Sequence, residues 1–414
     1  MWTKVLDRVL SRLVVDGELK VTWPDGSVTR YGRPDQFSAE VTLKDEKTAR
    51  ALCLTPVMAL GEGYMDGAIE VEGDNVYDFL AMLIRNRENS GAMPSWAVGM
   101  HRFRNAAKGV VQRNTPLSAR RNVAHHYDIS DDLYRLFLDE DMQYSCAYFA
   151  RPDMTLEEAQ QAKKDHIARK LRIEPGMRVL DIGCGWGGMA LTLARDYGAH
   201  VTGVTLSSNQ HATAQRRAAE AGLSDKTEFR LQDYRDVTET FDRVVSVGML
   251  EHVGSPQFPV YFDKVSDVLD PDGIALIHTI GLTEPPSPTS PWIAKYIFPG
   301  GYVPALSDLA PSIEKAGLWT ADLEVLRGHY GPTLHHWRDR FEAQVDRVRE
   351  MYDERFVRMF RFYLAACEAA FEEQHQGVFQ FQLSRKQYAV PTTRDYLYAE
   401  PRKAQGEGWA HAAQ

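Results

Sequence analysis

The sequence lacks several features that would assign it to common classes of protein. No apolar run reaches the roughly 18–20 residues of a membrane-spanning helix, and the first residues, Met1–Asp7, have no signal-peptide core. The four cysteines show neither the spacing of a metal site nor that of a disulfide framework. A formal net charge of -9 argues against a general nucleic-acid binder. These absences favour a cytoplasmic protein without a bound metal.

The composition is that of a globular protein, with 44% hydrophobic and 25% charged residues and a mean hydropathy of -0.38. A chain of 414 residues is long enough for about two to three domains. Short apolar segments separated by turn signals predict a small α+β domain over residues 1–95. We predict a basic linker over 96–121, an α/β domain over 122–395 and a C-terminal tail over 396–414.

Residues 122–395 alternate between strand-like and helical segments, the pattern of a doubly wound α/β domain. In open sheets of this kind, ligands bind at the carboxyl ends of the strands. A long helical stretch is predicted from His335 to about Glu373. The predicted strands are Arg178–Ile182, His200–Thr205, Thr227–Leu231, Asp242–Val247 and Ile274–Thr279.

The segment Val179–Gly188 predicts a turn that holds a nucleotide. An apolar strand ending in an acid breaks into glycines, and Gly183, Gly185 and Gly188 have the spacing of a nucleotide-binding turn. Missing Cβ atoms at such positions let a ligand lie against the backbone. The pattern alone is moderately specific and does not say which nucleotide binds.

The next predicted strand distinguishes between classes of nucleotide. A dinucleotide site requires an acid at its end to hold the ribose, and Ala199–Thr205 runs into Leu206–Gln210 without one. The glycine turn carries no Lys-Ser/Thr pair, which excludes a P-loop. Hydroxyl and amide groups at Thr205, Ser207 and Gln210 suit S-adenosylmethionine, which has no phosphate. The alternative that Ser207 caps the following helix stays open.

Other strand ends also carry polar side chains. The fourth strand is followed by Glu251 and His252, and His278 lies near the end of the fifth. The third strand is followed by Asp233, where methyltransferases commonly place an acid near the adenine amino group. We expect these groups at one edge of the sheet, because the carboxyl ends of parallel strands lie together.

With these motifs assembled, the chain resembles the cyclopropane-fatty-acyl-phospholipid synthase family and the related mycolic-acid cyclopropane synthases. The resemblance covers essentially the whole chain past about residue 100, and several long motifs occur in the family's order. It implies a Rossmann-like, S-adenosylmethionine-dependent methyltransferase domain after the small α+β domain. The matching segments are His126–Asp128, Gln143–Tyr148, Val179–Gly188, Gly203–Ser207, Leu231–Arg235, Arg243–Val253, Leu276–Gly281, Trp292–Pro299 and Glu354–Phe360.

The resemblance implies transfer of the methyl carbon of S-adenosylmethionine to a cis double bond of a phospholipid acyl chain. No base can activate an alkene by deprotonation, so the enzyme must align the sulfonium methyl with the π bond. Attack leaves a carbocation, which favours a dry site with aromatic walls. Candidate walls, each also explained by packing in the core, are Tyr144, Tyr148, Trp292, Tyr296 and Phe298.

A base must then remove a proton from the transferred methyl group to close the ring. The resemblance implies a bound bicarbonate as that base. Glu251 would accept its O–H, while His278 and Tyr330 would donate to its oxygens. Taken singly, a buried cysteine or a strand histidine is more often explained by packing. The implied catalytic set is Cys146, Glu251, His278, the backbone of Ile280, and Tyr330.

The same resemblance implies the partners of the protein and its cofactor residues. The acceptor would be an unsaturated phospholipid, reached by peripheral contact with the inner face of the membrane. The N-terminal domain would help to present the lipid, and the enzyme would be a homodimer. The residues implied around S-adenosylmethionine are Tyr144, Ser145, Asp181, Gly183, Gly185, Gly187, Thr205, Leu206, Ser207, Gln210, Gln232, Asp233 and Tyr234.

An enzyme that reaches a double bond in a bilayer needs a foothold on the membrane. Residues 101–121 carry six Lys/Arg and no acid, and such a stretch can lie on an anionic surface. A solvated linker helix is the more common explanation of a charge run. A second candidate foothold is a set of five arginines in a helical stretch: Arg347, Arg349, Arg355, Arg358 and Arg361.

Three alternative functions remain. The nearest rival transfers the same methyl group without ring closure and gives a methyl-branched or methylenated acyl chain. A lipid- or cofactor-binding protein without turnover should show damage in the glycine turn or at Glu251 and His278, and none is present. An NAD-dependent enzyme is disfavoured because the acid after the second strand is missing.

Overall fold

In a computed structural model, the chain is described over residues 1–90 and 130–398. The predicted basic linker, the boundary at residue 95, the His126–Asp128 motif and the tail beyond residue 398 lie outside these ranges. Within them, no helix is both long and apolar enough to span a bilayer.

The first ninety residues form a small α+β unit, as expected. Its elements are α1 (Trp2–Leu13), β1 (Gly17–Thr22), β2 (Val28–Arg33), β3 (Ser38–Leu43), α2 (Glu46–Leu54), α3 (Pro56–Met65), β4 (Ile69–Val71) and α4 (Val76–Ser90). The sheet order is β2-β1-β3-β4, and β1 runs antiparallel to β2 but parallel to β3. Along β1, Leu19 and Val21 are buried while the residues between them are partly exposed, so one face of this sheet packs against the helices.

The remaining described residues form the larger α/β unit. Its first half comprises α5 (Asp131–Phe137), α6 (Leu156–Leu171), β5 (Arg178–Ile182), α7 (Gly188–Tyr197), β6 (His200–Thr205), α8 (Ser208–Glu220), β7 (Thr227–Leu231) and β8 (Phe241–Val247). Its second half comprises α9 (Phe258–Val268), β9 (Leu269–Leu282), α10 (Pro291–Tyr296), α11 (Leu306–Lys315), β10 (Trp319–Val325), α12 (Tyr330–Ala343), α13 (Val345–Met351), α14 (Glu354–Glu373), β11 (Gln376–Ser384) and α15 (Asp395–Tyr398).

Seven strands of this unit form one sheet in the order β10-β11-β9-β8-β5-β6-β7. The five strands from β9 to β7 are mutually parallel, and β11 is antiparallel to both β9 and β10. The direction in which the strands are added changes at β5. The next strand in the chain, β6, lies on one side of β5, and the later strand β8 lies on the other. A ligand crevice is expected at this switch point.

The five predicted strands are confirmed, but two further strands are not foreseen. The strand β11 is buried on both faces, although Phe379–Leu383 alternates apolar and polar residues as a half-buried strand does. This alternation is a local signal that the prediction overlooked. The stretch from His335 to about Glu373 is helical, as predicted, but it is not continuous. Three helices occupy this stretch, and Asp353 caps the last of them by accepting a hydrogen bond from the Phe356 amide.

The two units are packed together through α14, and this corrects part of the second predicted membrane foothold. Arg358 and Arg361 are engaged between the units and cannot face a lipid surface. Arg347, Arg349 and Arg355 are exposed, and the last two form ion pairs at the surface. The contacts between the units join Arg355 to Asp66, Arg358 to the carbonyls of Tyr64 and Ile69, Arg361 to Asp74, and Arg85 to Glu373.

Gly61 on α3 shows how closely the two units approach. A Cβ built there would lie 2.2 Å from the indole nitrogen of Trp292. The Trp292 ring is buried and packs against Phe362 of α14, with ring centroids 4.7 Å apart. Trp292, a candidate wall of the reaction site, therefore lies in the core between the units and not in the pocket described below.

Candidate active site

The turn between β5 and α7 adopts a conformation that requires glycine. Gly183, Gly185 and Gly187 have φ angles of +81°, +54° and +86°, in the left-handed region that other residues rarely adopt. A Cβ at Gly183 would lie 2.9 Å from the side chain of Met249. A Cβ at Gly185 would meet nothing within 4 Å, because this glycine borders an open pocket. The turn thus exposes its backbone to that pocket.

Most of the predicted cofactor residues line this pocket at the carboxyl edge of the sheet. The exceptions are Gly187 and Ser207. A Cβ at Gly187 would lie 2.9 Å from the ring of Phe229, so this glycine serves the packing of α7 against the sheet. The lining residues among those predicted are Tyr144, Ser145, Asp181, Gly183, Gly185, Thr205, Leu206, Gln210, Gln232, Asp233 and Tyr234.

The hydroxyl cluster after β6 is organised by its own hydrogen bonds. The Ser207 hydroxyl accepts a hydrogen bond from the backbone amide of Gln210 at 3.3 Å and so caps α8. This capping role is the alternative that the sequence left open for Ser207. The Thr205 hydroxyl donates to the side-chain oxygen of Gln210 at 3.1 Å. The side-chain amide nitrogen of Gln210 is then left to contact a ligand.

After β7, an ion pair holds the acid of the pocket. Arg235 donates to both carboxylate oxygens of Asp233, at 2.8 and 2.6 Å. A bidentate pair of this kind fixes the plane of the carboxylate. Arg235 also lines the pocket and was not predicted from the sequence, because its guanidinium acts through its neighbour.

Asp181, the acid of the glycine motif, is held differently. Its carboxyl group is buried, and one oxygen, Oδ2, has no hydrogen-bond partner among the described residues. Burial raises the pKa of this carboxyl to about 7. The group is therefore available to a ligand as a donor when protonated and as an acceptor when ionised.

A second group of polar side chains lies directly behind the cofactor pocket. Glu251 is in a short 3-10 turn whose neighbours Met249 and His252 line the pocket, yet its own carboxyl group faces away into the protein. Its Oε1 accepts a hydrogen bond from the backbone amide of Ile280 at 2.6 Å, and its Oε2 has no partner among the described residues. Burial raises the pKa of Glu251 to about 7.

His278 lies two residues before Ile280 on β9 and therefore on the same face of the sheet. The side-chain amide nitrogen of Gln380 lies 3.1 Å from Nδ1, so it donates there and leaves the imidazole proton on Nε2. That Nε2 has no hydrogen-bond partner in the described chain. Burial lowers the pKa of His278 well below its usual range, and the positive charge of Lys163 acts in the same direction.

The other two predicted catalytic residues complete this group. Cys146 is fully buried and packs in one apolar cluster with Ile280 and Tyr330. Burial raises the pKa of the Tyr330 hydroxyl, and nearby Cys146 and Glu251 raise it further. We call the five residues Cys146, Glu251, His278, Ile280 and Tyr330 the Glu251–His278 cluster.

The structure therefore places the five predicted catalytic residues together, with one qualification for Ile280. Its amide is already engaged by Glu251, so it orients the carboxyl group and is not free to bind a further group while that bond lasts. Gln380 was not predicted, because β11 itself was missed and nothing in the local sequence marks this glutamine.

Of the predicted aromatic walls, Tyr144 is the one that lines the cofactor pocket. Its hydroxyl lies 2.7 Å from that of Tyr363, and its ring packs against Trp337 with centroids 5.2 Å apart. Tyr148 instead lies between the rings of two histidines, His166 and His329. The aromatic surface near the site thus comes from α12 and α14 as well as from the segment around Tyr144.

Three features together define an S-adenosylmethionine-dependent methyltransferase. They are the parallel sheet, the glycine turn after β5, and a pocket with no acidic residue at the end of β6. A model of the family described as mycolic acid cyclopropane synthetase matches residues 114–381. The chain belongs to this family. A domain of unknown function matches residues 5–92, which contain the small α+β unit.

Named relatives extend over most of the chain. The cyclopropane-fatty-acyl-phospholipid synthase of Escherichia coli (strain K12) is 40% identical over 351 residues, 84% of this chain and 88% of that protein. A probable fatty acid methyltransferase of Pseudomonas putida is 37% identical over 393 residues, 90% of this chain and 94% of that protein. The solved mycolic acid cyclopropane synthase CmaA1, complexed with SAH and CTAB, is 35% identical with a TM-score of 0.61, covering 64% of this chain and 97% of that one.

Proposed function

We propose that this enzyme transfers the methyl carbon of S-adenosylmethionine to a cis double bond of a phospholipid acyl chain and then closes a cyclopropane ring. The observation that carries this proposal is the pair of orphaned polar atoms, Glu251 Oε2 and His278 Nε2, buried behind the cofactor pocket. Methyl transfer to an alkene leaves a carbocation that must lose a proton, so the reaction needs a base at this site. A buried acceptor beside a buried donor suits a small ligand that takes part in proton removal.

The cofactor side of the reaction depends on orientation. The alkene is a weak nucleophile, so the rate enhancement must come from holding the sulfonium methyl in line with the π bond. The engaged groups of the pocket, such as the Asp233–Arg235 pair and the Thr205–Gln210 bond, suit this role because they are fixed before a ligand arrives.

The donors and acceptors of the Glu251–His278 cluster fit bicarbonate. Glu251 Oε2 would accept the O–H of the anion, and the Nε2–H of His278 and the hydroxyl of Tyr330 would donate to its oxygens. Bound there, bicarbonate would supply a base for the proton of the transferred methyl group. Cys146 closes the cluster on its apolar side, and Ile280 acts through its hydrogen bond to Glu251.

The direct test incubates the purified protein with S-adenosylmethionine and vesicles of unsaturated phospholipid and analyses the lipids by mass spectrometry. We expect a gain of one CH2 with loss of the double bond, and a slower reaction in buffer depleted of carbon dioxide. Activity that is unchanged by that depletion would exclude bicarbonate. A lack of any mass gain would exclude the phospholipid acceptor.

A second candidate is methyl transfer without ring closure, giving a branched or methylenated chain. The likeness to the Pseudomonas putida protein described as a probable fatty acid methyltransferase favours it. The same experiment separates the two reactions, because the branched product has the same mass gain and retains its double bond.

Peripheral contact with the membrane is part of the proposal, and α1 provides a suitable surface. One face of this helix is exposed, and it alternates apolar residues with cations that make no ion pair among the described residues. Such a face combines electrostatic attraction to anionic lipid with apolar contact. Spaced by three or four positions along two adjacent rows, the residues of this face are Lys4, Val5, Arg8, Val9 and Arg12.

Charge reversal tests this surface. The double variant Lys4→Glu and Arg8→Glu should bind anionic vesicles at least about tenfold more weakly, since each basic residue near such a surface contributes about 1 kcal/mol. The control variant, Lys315→Glu and Arg327→Glu, makes the same change in charge on exposed residues of the larger unit. Equal loss of binding in both variants would exclude α1 as the specific contact.

The remaining parts of the proposal concern organisation. We propose that residues 1–95 present the lipid to a catalytic domain over 122–395, that the enzyme works at the cytoplasmic face of the membrane, and that it forms a homodimer. The packing of α4 and α3 on α14 supports a fixed arrangement of the two units. Sedimentation equilibrium tests the homodimer. A molecular mass equal to that of the monomer at all protein concentrations would exclude it.

A further inference from the structure

Lys163 on α6 is buried without an ion pair. Its side chain is 0% exposed, and no carboxylate of the described residues lies within ion-pair distance of its ammonium. The two other buried lysines of this helix differ, since Lys164 pairs with Asp141 and Lys170 with Glu324. Burying an unpaired ammonium costs several kcal/mol unless hydrogen bonds satisfy it. A residue kept in this state calls for an explanation.

The ammonium of Lys163 is bound to the segment that separates the two parts of the site. It donates to the side-chain oxygen of Gln143 at 2.7 Å and to the hydroxyl of Ser145 at 2.8 Å. Gln160, on the same face of the helix, donates to the backbone carbonyls of the same two residues, at 3.3 and 2.9 Å. One face of α6 therefore holds the segment from Gln143 to Ser145 from behind.

This segment contributes to both parts of the site. Gln143, Tyr144 and Ser145 line the cofactor pocket, and the next residue, Cys146, belongs to the Glu251–His278 cluster. Two hydrogen bonds leave one N–H of the ammonium without an acceptor among the described residues. Its charge acts on the cluster as well: it adds to the burial that lowers the pKa of His278, and it partly opposes the burial that raises the pKa of the Cys146 thiol. The lysine is thus placed to influence both ligands.

We propose that Lys163 is a positioning residue that fixes the wall shared by the cofactor pocket and the Glu251–His278 cluster, and that its positive charge favours an anion in that cluster. Charge-assisted hydrogen bonds are about twice as strong as neutral ones, which suits a wall that must not shift between two ligands. The part of the proposal that concerns the anion rests on the proposed function, and the part that concerns the cofactor does not.

The test is a double-mutant cycle on the affinity for S-adenosylhomocysteine, measured by calorimetry. Lys163→Met should weaken binding about tenfold, Ser145→Ala should weaken it by a similar factor, and the double variant should be little worse than either, because both changes break the same contact. Lys164→Met is the matched control, since Asp141 keeps its bond to Arg217, and it should bind within about twofold of wild type.

The outcomes separate a positioning role from a merely structural one. A core lysine of structural importance alone would lower the melting temperature and leave the affinity of the folded protein unchanged, which would overturn the proposal. Additive effects of Lys163→Met and Ser145→Ala would overturn it too. If the methionine variant does not fold, Lys163→Gln, which keeps a polar group, takes its place in the cycle.

The anion is tested separately by the concentration of bicarbonate that gives half-maximal turnover. Lys163→Met should raise it about tenfold, and an unchanged value would overturn the electrostatic part of the proposal. Wild-type turnover that does not respond to bicarbonate would instead contradict the proposed function, while the calorimetric cycle still decides the role of Lys163 toward the cofactor.

Discussion

The cofactor pocket and the Glu251–His278 cluster are adjacent, but their polar groups are in different states. In the pocket, Asp233 is bound by Arg235, and Thr205 is bound to Gln210. In the cluster, Glu251 and His278 each keep one buried polar atom without a partner among the described residues, as Asp181 also does in the pocket. Polar groups that are already hydrogen-bonded give a rigid surface that orients a large ligand. Buried polar groups without a partner can instead bind a small one.

Burial shifts pKa values in both regions. In the cluster, burial without a compensating charge raises the pKa of Glu251 to about 7 and lowers that of His278 well below its usual range. In the pocket, burial likewise raises the pKa of Asp181 to about 7 and lowers that of His252 to about 4. The assignment of proton removal to the cluster and of orientation to the pocket therefore rests on the hydrogen-bond partners of the two regions, and substitutions should separate the two roles.

The largest effect is expected for Glu251→Gln. Turnover should fall about a thousandfold, within the usual range for loss of acid–base catalysis, because the amide cannot serve as an anionic acceptor. Affinity for S-adenosylhomocysteine should stay within about threefold of wild type, since the Glu251 carboxyl group does not line the cofactor pocket. Steady-state kinetics and calorimetry measure the two quantities.

A conservative change elsewhere on the domain gives the control for that variant. Glu239→Gln removes a carboxylate that is paired with Arg230 near the surface and should leave both quantities unchanged. Normal turnover in Glu251→Gln would remove the cluster from the mechanism, and a parallel loss of cofactor affinity would end the distinction between the two regions.

The same substitution should change the pH dependence of stability. The folded-state pKa of Glu251, about 7, lies above its usual value of 4.5, so its contribution to stability is fully present below pH 4.5 and is lost as the pH rises through 7. Glutamine cannot ionise and avoids this loss. Denaturant unfolding should therefore find Glu251→Gln more stable than wild type by about 3 kcal/mol near pH 8, with little difference near pH 4.

That stability difference has a clear contrary outcome. If the two unfolding free energies run parallel with pH, the Glu251 carboxyl group is solvated or already paired, and the cluster holds no orphaned acceptor. Asp181 titrates in the same range in both proteins, so its contribution cancels from the comparison.

The next effect is expected in the cofactor pocket. Gly185→Val should weaken binding of S-adenosylhomocysteine about a hundredfold, because its side chain would project into the pocket from a left-handed backbone position. Gly176→Val is the matched control, since Gly176 also has a positive φ and open space around its Cβ but lies in an exposed turn. Both variants should lose about 1 kcal/mol of stability, and calorimetry should show weak binding in the first alone.

The smallest effect is expected for Ser207→Ala. This residue caps α8 and does not line the pocket, so its loss should lower the free energy of unfolding by about 1 kcal/mol. Affinity for the cofactor product should remain within about twofold when measured on folded protein. A loss of affinity without a loss of stability would instead make Ser207 a direct ligand.

Local sequence predicted only part of the pocket lining, namely the turns that directly follow predicted strands, whereas Tyr144 and Ser145 came from the family resemblance. The glycine turn after β5 and the polar residues after β6 and β7 can each be recognised within a window of about ten residues. The cluster is different, since Cys146, Glu251, His278 and Tyr330 come from distant parts of the chain. Their grouping followed from a family resemblance and not from spacing.

The features that were missed depend on tertiary contacts. Lys163 reads as an ordinary helical lysine, and only the packing of α6 against Gln143 and Ser145 shows that it is buried. The arginines of α14 read as an amphipathic basic face and are instead bound to the N-terminal unit. A charge pattern on a helix does not say whether water, lipid or another part of the protein lies opposite.

The central claim is that one site both transfers the methyl group and removes a proton from it. The most direct measurement supplies S-adenosylmethionine with a trideuterated methyl group and counts the deuterium and double bonds retained in the lipid product. Our account predicts that two of the three deuterons are retained and the double bond is lost, because the ring closes after a proton leaves the transferred carbon. Retention of all three deuterons with the double bond would contradict it.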